Sequence, residues 1–182
     1  MNLPNKITMF RVVLIPFFVF FMLSEHIAYH NYIAVVIFIV ASLTDMLDGK
    51  IARKYNLVSN FGKFMDPLAD KLLVSSAMIC FVALPSNPMP AWVVIVIIAR
   101  EFIISGFRLV ASDAGVVIAA SYWGKIKTVT QMIMSILLIV NFDGYIINIV
   151  EYVFIYAALI LTVISLVDYM VKNWSVMRDG NM

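Results

Sequence analysis

Apolar residues along this chain gather into six long runs separated by short polar or turn-rich breaks. The runs cover approximately 7–27, 31–53, 64–84, 90–111, 122–142 and 146–171. A helix needs about 20 residues to cross a hydrocarbon core of roughly 30 Å, so each run predicts one transmembrane helix. The breaks fall at 24–31, 56–63, 85–90, 112–121 and 141–144; the third is Pro85-Ser86-Asn87-Pro88-Met89-Pro90. Proline lacks a backbone donor, and Gly, Asn and Ser accept turn conformations, so these stretches punctuate the helices. No internal repeat of domain-building length is apparent. The pattern predicts an all-α bundle of six transmembrane helices forming a single membrane domain over 1–182. Residues 4–11 could open it as an interfacial helix, with Pro4 near the start. Lys6 and Arg11 ahead of an apolar run look like a secretory leader. Ser24-Glu25-His26-Ile27 lacks the small residues of a cleavage site, so a retained anchor is expected.

Composition agrees with a bilayer as solvent. The chain has 182 residues, 63% hydrophobic and 13% charged, against about 25% charged in a soluble domain. Its mean hydropathy is +0.98. Cys80 is the only cysteine, which excludes an intrachain disulfide and a thiolate metal cluster. It lies in Met78-Ile79-Cys80-Phe81-Val82 and reads as a small core or lipid-facing residue.

The net charge of +2 says little, but the placement of the 13 basic residues says much. Lys6 and Arg11 lie at the start; Lys50, Arg53, Lys54, Lys63 and Lys71 surround the second break. Arg100, Arg108, Lys125 and Lys127 surround the fourth, and Lys172 and Arg178 follow the last run. With six crossings all of these share one side of the membrane. The positive-inside rule makes that side the cytoplasm, with both termini there. His26 and His30, at i and i+4 on the opposite side, have metal-ligand spacing but no third ligand nearby. A solvated turn accounts for them better.

Charged residues within membrane spans are costly and point to function. Asp45 and Asp48 stand three apart at the end of the second run, and Asp66 and Asp70 four apart at the opening of the third. On helices each pair shares a face. Two helices joined by a short turn could bring the pairs together. Four carboxylates in a low dielectric repel one another strongly unless cations intervene. An all-oxygen set suits two ions of Mg²⁺ or Mn²⁺, which could bridge a diphosphate and orient in-line attack. A carboxylate could also serve as general base. Gly49 and Ala52 leave room for a base or phosphate, and the fork of Arg53 can bind phosphate oxygens. The plainer alternative is that these aspartates cap helices, Asp66 before Pro67 above all, and pair with Lys50, Arg53, Lys63 and Lys71. It does not explain why they cluster at helical spacing beside small residues.

The pattern Asp45-x-x-Asp48-Gly49-x-x-Ala52-Arg53, eight residues, Gly62-x-x-x-Asp66-x-x-x-Asp70 resembles the full signature of the CDP-alcohol phosphotransferases. Eight fixed residues at fixed spacing are highly specific, and the six-span layout is similar to the family across nearly the whole chain. The resemblance implies that Asp45, Asp48, Asp66 and Asp70 hold two divalent ions. It implies that Asp70 is the base on an acceptor hydroxyl that attacks the β-phosphorus of a CDP-lipid and expels CMP. It sets Gly49, Ala52 and Arg53 against the CDP moiety, and it implies a homodimer.

A second basic group bears on the acceptor. Arg100 opens Arg100-Glu101-Phe102-Ile103-Ile104-Ser105-Gly106-Phe107-Arg108, and Lys125 and Lys127 begin the fifth run. Converging arginines and lysines in a dry setting bind phosphate; the alternative is that they enforce topology and meet anionic lipid. These segments, with Asn2-Leu3-Pro4-Asn5-Lys6-Ile7-Thr8 and Gly62-Lys63-Phe64-Met65-Asp66-Pro67, resemble the bacterial branch of the family that makes phosphatidylglycerophosphate. That likeness implies CDP-diacylglycerol as donor, with Asn5 and Thr8 among its contacts. It implies glycerol 3-phosphate as acceptor, held by Arg100, Arg108, Lys125, Lys127 and Lys63. The same chemistry on inositol phosphate or serine is one alternative, and an ion or solute transporter is another. Transporters usually keep their charges near the midplane between repeats, whereas these aspartates cluster toward one face.

Overall fold

The computed structural model describes residues 2–24, 26–54, 60–113, 116, 118 and 121–174, with the backbone alone at 45–54, 60, 61, 63, 64, 67 and 113. Among these residues there are six α-helices and no strand: α1 Leu3–Leu23, α2 His30–Lys54, α3 Asn60–Ala83, α4 Ala91–Asp113, α5 Tyr122–Val140 and α6 Tyr145–Lys172. Each matches one predicted run, and the fold is that of a polytopic membrane protein. α1, α5 and α6 are each long and apolar enough to cross a bilayer. In α2 the apolar stretch His30–Thr44 is shorter, because the helix continues into the charged 45–54 segment. α3 and α4 likewise carry Lys71 or Arg100 inside their apolar sequence.

Helix ends follow local chemistry. α1 starts four residues earlier than the apolar run, since Pro4 sits in its first turn, where a missing N–H costs nothing. It is continuous to Leu23, so residues 4–11 form its opening turns. It stops at Ser24, whose Oγ donates to the Phe20 carbonyl at 2.6 Å. His30 Nδ1 then bonds the Phe21 carbonyl at 3.2 Å, which gives that histidine a structural partner at the turn. Between α5 and α6 the chain turns on Asn141 (φ 51°) and Gly144 (φ 155°), the second a conformation that favours glycine. α3 begins at Asn60, so Asp66 lies inside the helix and is not its cap.

Two compact units divide the chain. The first comprises 1–87 with 138–141, and the second 88–137 with 142–182. In the first, α1 packs on α2 and α3 through one stripe: Pro4, Asn5, Thr8, Arg11, Ile15, Phe18 and Met22. Phe18 meets Phe38 of α2 with centroids 5.8 Å apart. Ala34, Ala41, Ala69 and Ala77 are fully buried, and such small residues let membrane helices approach closely. Cys80 is buried in this unit, as its apolar setting predicts.

In the second unit α4 packs on α6. The buried stripe of α6 is Glu151, Ile155, Ala158, Thr162, Ser165 and Tyr169. Thr162 and Ser165 donate to the carbonyls of Ala158 and Thr162, at 2.6 and 2.9 Å. Bonding back to their own helix satisfies hydroxyls where no water is available. Large apolar side chains such as Phe20, Ile95 and Val153 remain exposed, a surface suited to lipid and poorly suited to water.

Candidate active site

In the first unit α3 sets Asp66 and Asp70 one turn apart, both partly buried. α1 reaches the first of them: Thr8 Oγ1 donates to Asp66 Oδ1 at 2.6 Å. The same hydroxyl lies 3.1 Å from the Pro4 carbonyl. It has one proton, and the shorter bond to a charged acceptor is the stronger. Thr8 is fully buried, and Asn5 and Arg11 share its face. Asp70 is more open, with a side chain 45% exposed, and accepts from Lys71 Nζ at 3.0 Å. Asp45, Asp48, Gly49, Ala52 and Arg53 lie on the last turns of α2. Their side chains, and that of Lys63, are outside the described residues, and so is the predicted meeting of all four carboxylates. The helical backbone through Lys54 keeps Asp45 and Asp48 on one face, as their spacing predicts.

The second unit gathers cations around one carboxylate. Arg100 Nη1 donates to Glu101 Oε1 at 3.0 Å, and Lys127 Nζ reaches across from α5 to the same oxygen. The three side chains are 10%, 12% and 3% exposed for Arg100, Glu101 and Lys127. α5 is started by Ser121, whose Oγ accepts the Gly124 N–H at 3.1 Å, the bond that defines an N-cap. Gly124 lies against Arg100: a Cβ there would make ordinary contact with Nη2 at 3.6 Å. Arg108 is exposed on α4, and Lys125 is exposed on α5. Of the four cations predicted here to bind acceptor phosphate, Arg100 and Lys127 are thus tied together through Glu101. Arg108 and Arg100 both lie within electrostatic reach of Tyr169 of α6.

Three residues were not singled out from sequence. Arg11 enters the sequence reading through the leader question and the charge bias, not as a site residue, yet its side chain is fully buried. Its place one turn after Thr8 in an apolar run was the available signal. Glu101 was noted only as a neighbour of Arg100, and its bridge to Lys127 is a long-range contact. Tyr169 carried no local signal.

Residues 1–164 match the CDP-alcohol phosphatidyltransferase family. The CDP-diacylglycerol–glycerol-3-phosphate 3-phosphatidyltransferase of Bacillus subtilis is 45% identical, over 99% of this chain and 99% of its own. The Haemophilus influenzae protein of the same name is 39% identical over 93% and 91%. A probable phosphatidylglycerophosphate synthase of Mycobacterium tuberculosis is 37% identical over 94% and 81%. With a family match over most of its length and whole-length relatives of this kind, the chain belongs to the CDP-alcohol phosphatidyltransferase family.

Proposed function

We propose that this protein transfers the phosphatidyl group of CDP-diacylglycerol to sn-glycerol 3-phosphate, giving phosphatidylglycerophosphate and CMP. The observation that carries the reading is the partly buried pair Asp66 and Asp70, in signature spacing, in a chain similar along its whole length to relatives named for this reaction. The acceptor's terminal hydroxyl attacks the β-phosphorus, the new P–O bond forms, and the bond to the CMP oxygen breaks. Asp70 takes the hydroxyl proton. Arg100, Arg108, Lys125, Lys127 and Lys63 bind the acceptor phosphate. Asn5, Thr8, Gly49, Ala52 and Arg53 line the donor.

Asp45, Asp48, Asp66 and Asp70 would hold two Mg²⁺ or Mn²⁺ ions. Supporting this, Asp66 and Asp70 supply hard oxygen donors on one helical face, and Thr8 orients one of them; oxygen-only sets select such cations. Bound there, the ions supply charge neutralisation for the diphosphate and the leaving oxygen. We further propose one membrane domain over 1–182, working as a homodimer in the cytoplasmic membrane, with six crossings and both termini and the active site on the cytoplasmic side. The one-sided placement of basic residues supports the orientation.

CMP release by purified protein, given CDP-diacylglycerol, Mg²⁺ and a panel of glycerol 3-phosphate, serine, inositol and inositol phosphate, tests the reaction. Release with glycerol 3-phosphate alone is expected; release with another acceptor alone would overturn the substrate, and none with any would favour transport. For orientation, Ser59→Cys in a Cys80→Ser background should react with an impermeant thiol reagent only after the membrane is opened.

A further inference from the structure

The unit of α4, α5 and α6 holds a buried donor that the reading above leaves unused. Tyr169, on the last turn of α6, is 3% exposed. Its hydroxyl has no hydrogen-bond partner among the described residues. The ring stands edge-on to Phe107 of α4, with centroids 5.7 Å apart and planes at 84°. Arg108, next in sequence to Phe107, and Arg100, two turns earlier on α4, lie within electrostatic reach of this hydroxyl. Arg100 is itself buried, and its Nε has no partner among the described residues either.

These groups share one chemical need. Guanidinium groups only donate, and the phenol adds one more proton to give. The nearby carboxylate, Glu101, already accepts from Arg100 Nη1 and Lys127. Buried donors without acceptors are unfavourable. A tetrahedral oxyanion offers several acceptor oxygens and a charge opposite to that of the arginines. Held by Phe107, the tyrosine has little rotamer freedom left to lose on binding.

We propose that Tyr169 is a specificity-determining residue for the acceptor, its hydroxyl donating a hydrogen bond to the phosphate of glycerol 3-phosphate beside Arg108 and Arg100. This rests on the assignment of those arginines to the acceptor. An acceptor without a phosphate leaves the buried hydroxyl unpaired, so Tyr169 also discriminates against unphosphorylated alcohols.

Steady-state kinetics of the purified full-length protein in detergent test this, with each substrate varied in turn, for wild type, Tyr169→Phe, Arg108→Ala and the double variant. Tyr169→Phe keeps the ring against Phe107 and removes only the hydroxyl. It should raise KM for glycerol 3-phosphate about tenfold, the size expected for a hydrogen bond to a charged group. KM for CDP-diacylglycerol, kcat and the thermal transition should stay close to wild type. In the double variant the two losses should combine to less than their product, because both side chains serve one phosphate. If Arg108→Ala raises the acceptor KM and Tyr169→Phe does not, the tyrosine assignment is overturned while the arginine assignment stands. An equal rise in both KM values, or a lowered thermal transition, would make Tyr169 a packing residue and overturn it as well. An acceptor KM unmoved by either variant overturns both assignments. A rise with Tyr169→Phe alone supports the tyrosine and removes Arg108.

Discussion

Where α1 meets α3, the polar groups converge on carboxylates, whereas on α4 and α5 they converge on cations around a single carboxylate. Asp66 is held by a neutral donor, Thr8, and Asp70 by Lys71. Arg100 and Lys127 instead share Glu101, with Arg108 and Lys125 nearby in sequence on the same two helices. Both arrangements sit in otherwise apolar helices, where charged groups point to function. The contrast bears on the proposed division of the site between metal and acceptor. Paired carboxylates on one helical face offer oxygen donors of the kind hard cations take, and clustered guanidinium and ammonium groups offer donors of the kind an oxyanion takes. A two-substrate phosphatidyl transfer needs both.

Variants in the carboxylate unit should break the contrast most severely. Under the proposed metal assignment, Asp66→Asn removes a charged oxygen ligand, and Asp45→Asn and Asp48→Asn do the same. Each should lower turnover by more than about 10³-fold, the scale of several kcal/mol of charge stabilisation. Turnover near wild type at limiting Mg²⁺ would remove that residue from the ligand set. Asp70→Asn should reduce kcat by roughly 10²–10⁴-fold, the usual worth of a general base, with CDP-diacylglycerol still bound. Recovery of the variant with excess metal would make Asp70 a ligand first.

On the cationic side, Glu101→Ala strands Arg100 and Lys127, and breaking a buried pair of this kind costs about 3 kcal/mol. A lowered thermal transition and a raised KM for glycerol 3-phosphate should appear together; a variant as stable as wild type would show the bridge to be unimportant. The smallest effect should come from Thr8→Val. Losing one hydrogen bond to Asp66 should cost about tenfold in activity at low Mg²⁺, with less loss at saturating Mg²⁺. A loss independent of metal would argue that Thr8 acts on the donor instead.

Much of this was legible in the sequence because bilayer constraints are strong. α6, predicted at 146–171, is Tyr145–Lys172, since a long apolar run has few other structures open to it. α1 begins at Leu3 because the segment opened by Pro4 continues without a break into the apolar run. Asp66 looked like a cap because Pro67 often begins helices, yet α3 continues through the proline from Asn60. In the site, Asp66 and Asp70 could be read from spacing alone, because one helical turn fixes their relation. The partners of these groups could not. Thr8 and Asp66 are 58 residues apart and Lys127 and Glu101 are 26 apart; only packing brings them together. Tyr169 in an apolar run reads as an ordinary membrane aromatic until its contact with Phe107 and its unpartnered hydroxyl are seen.

Counting Mn²⁺ bound per chain by electron paramagnetic resonance, with CDP-diacylglycerol present and no acceptor, tests the division of labour most directly. Wild type should bind two ions, Arg100→Ala should also bind two, and Asp66→Asn should bind fewer. An Arg100→Ala protein that loses the metal, or an Asp66→Asn protein that keeps both ions, would contradict the assignment of metal to the carboxylate unit and acceptor to the cationic one.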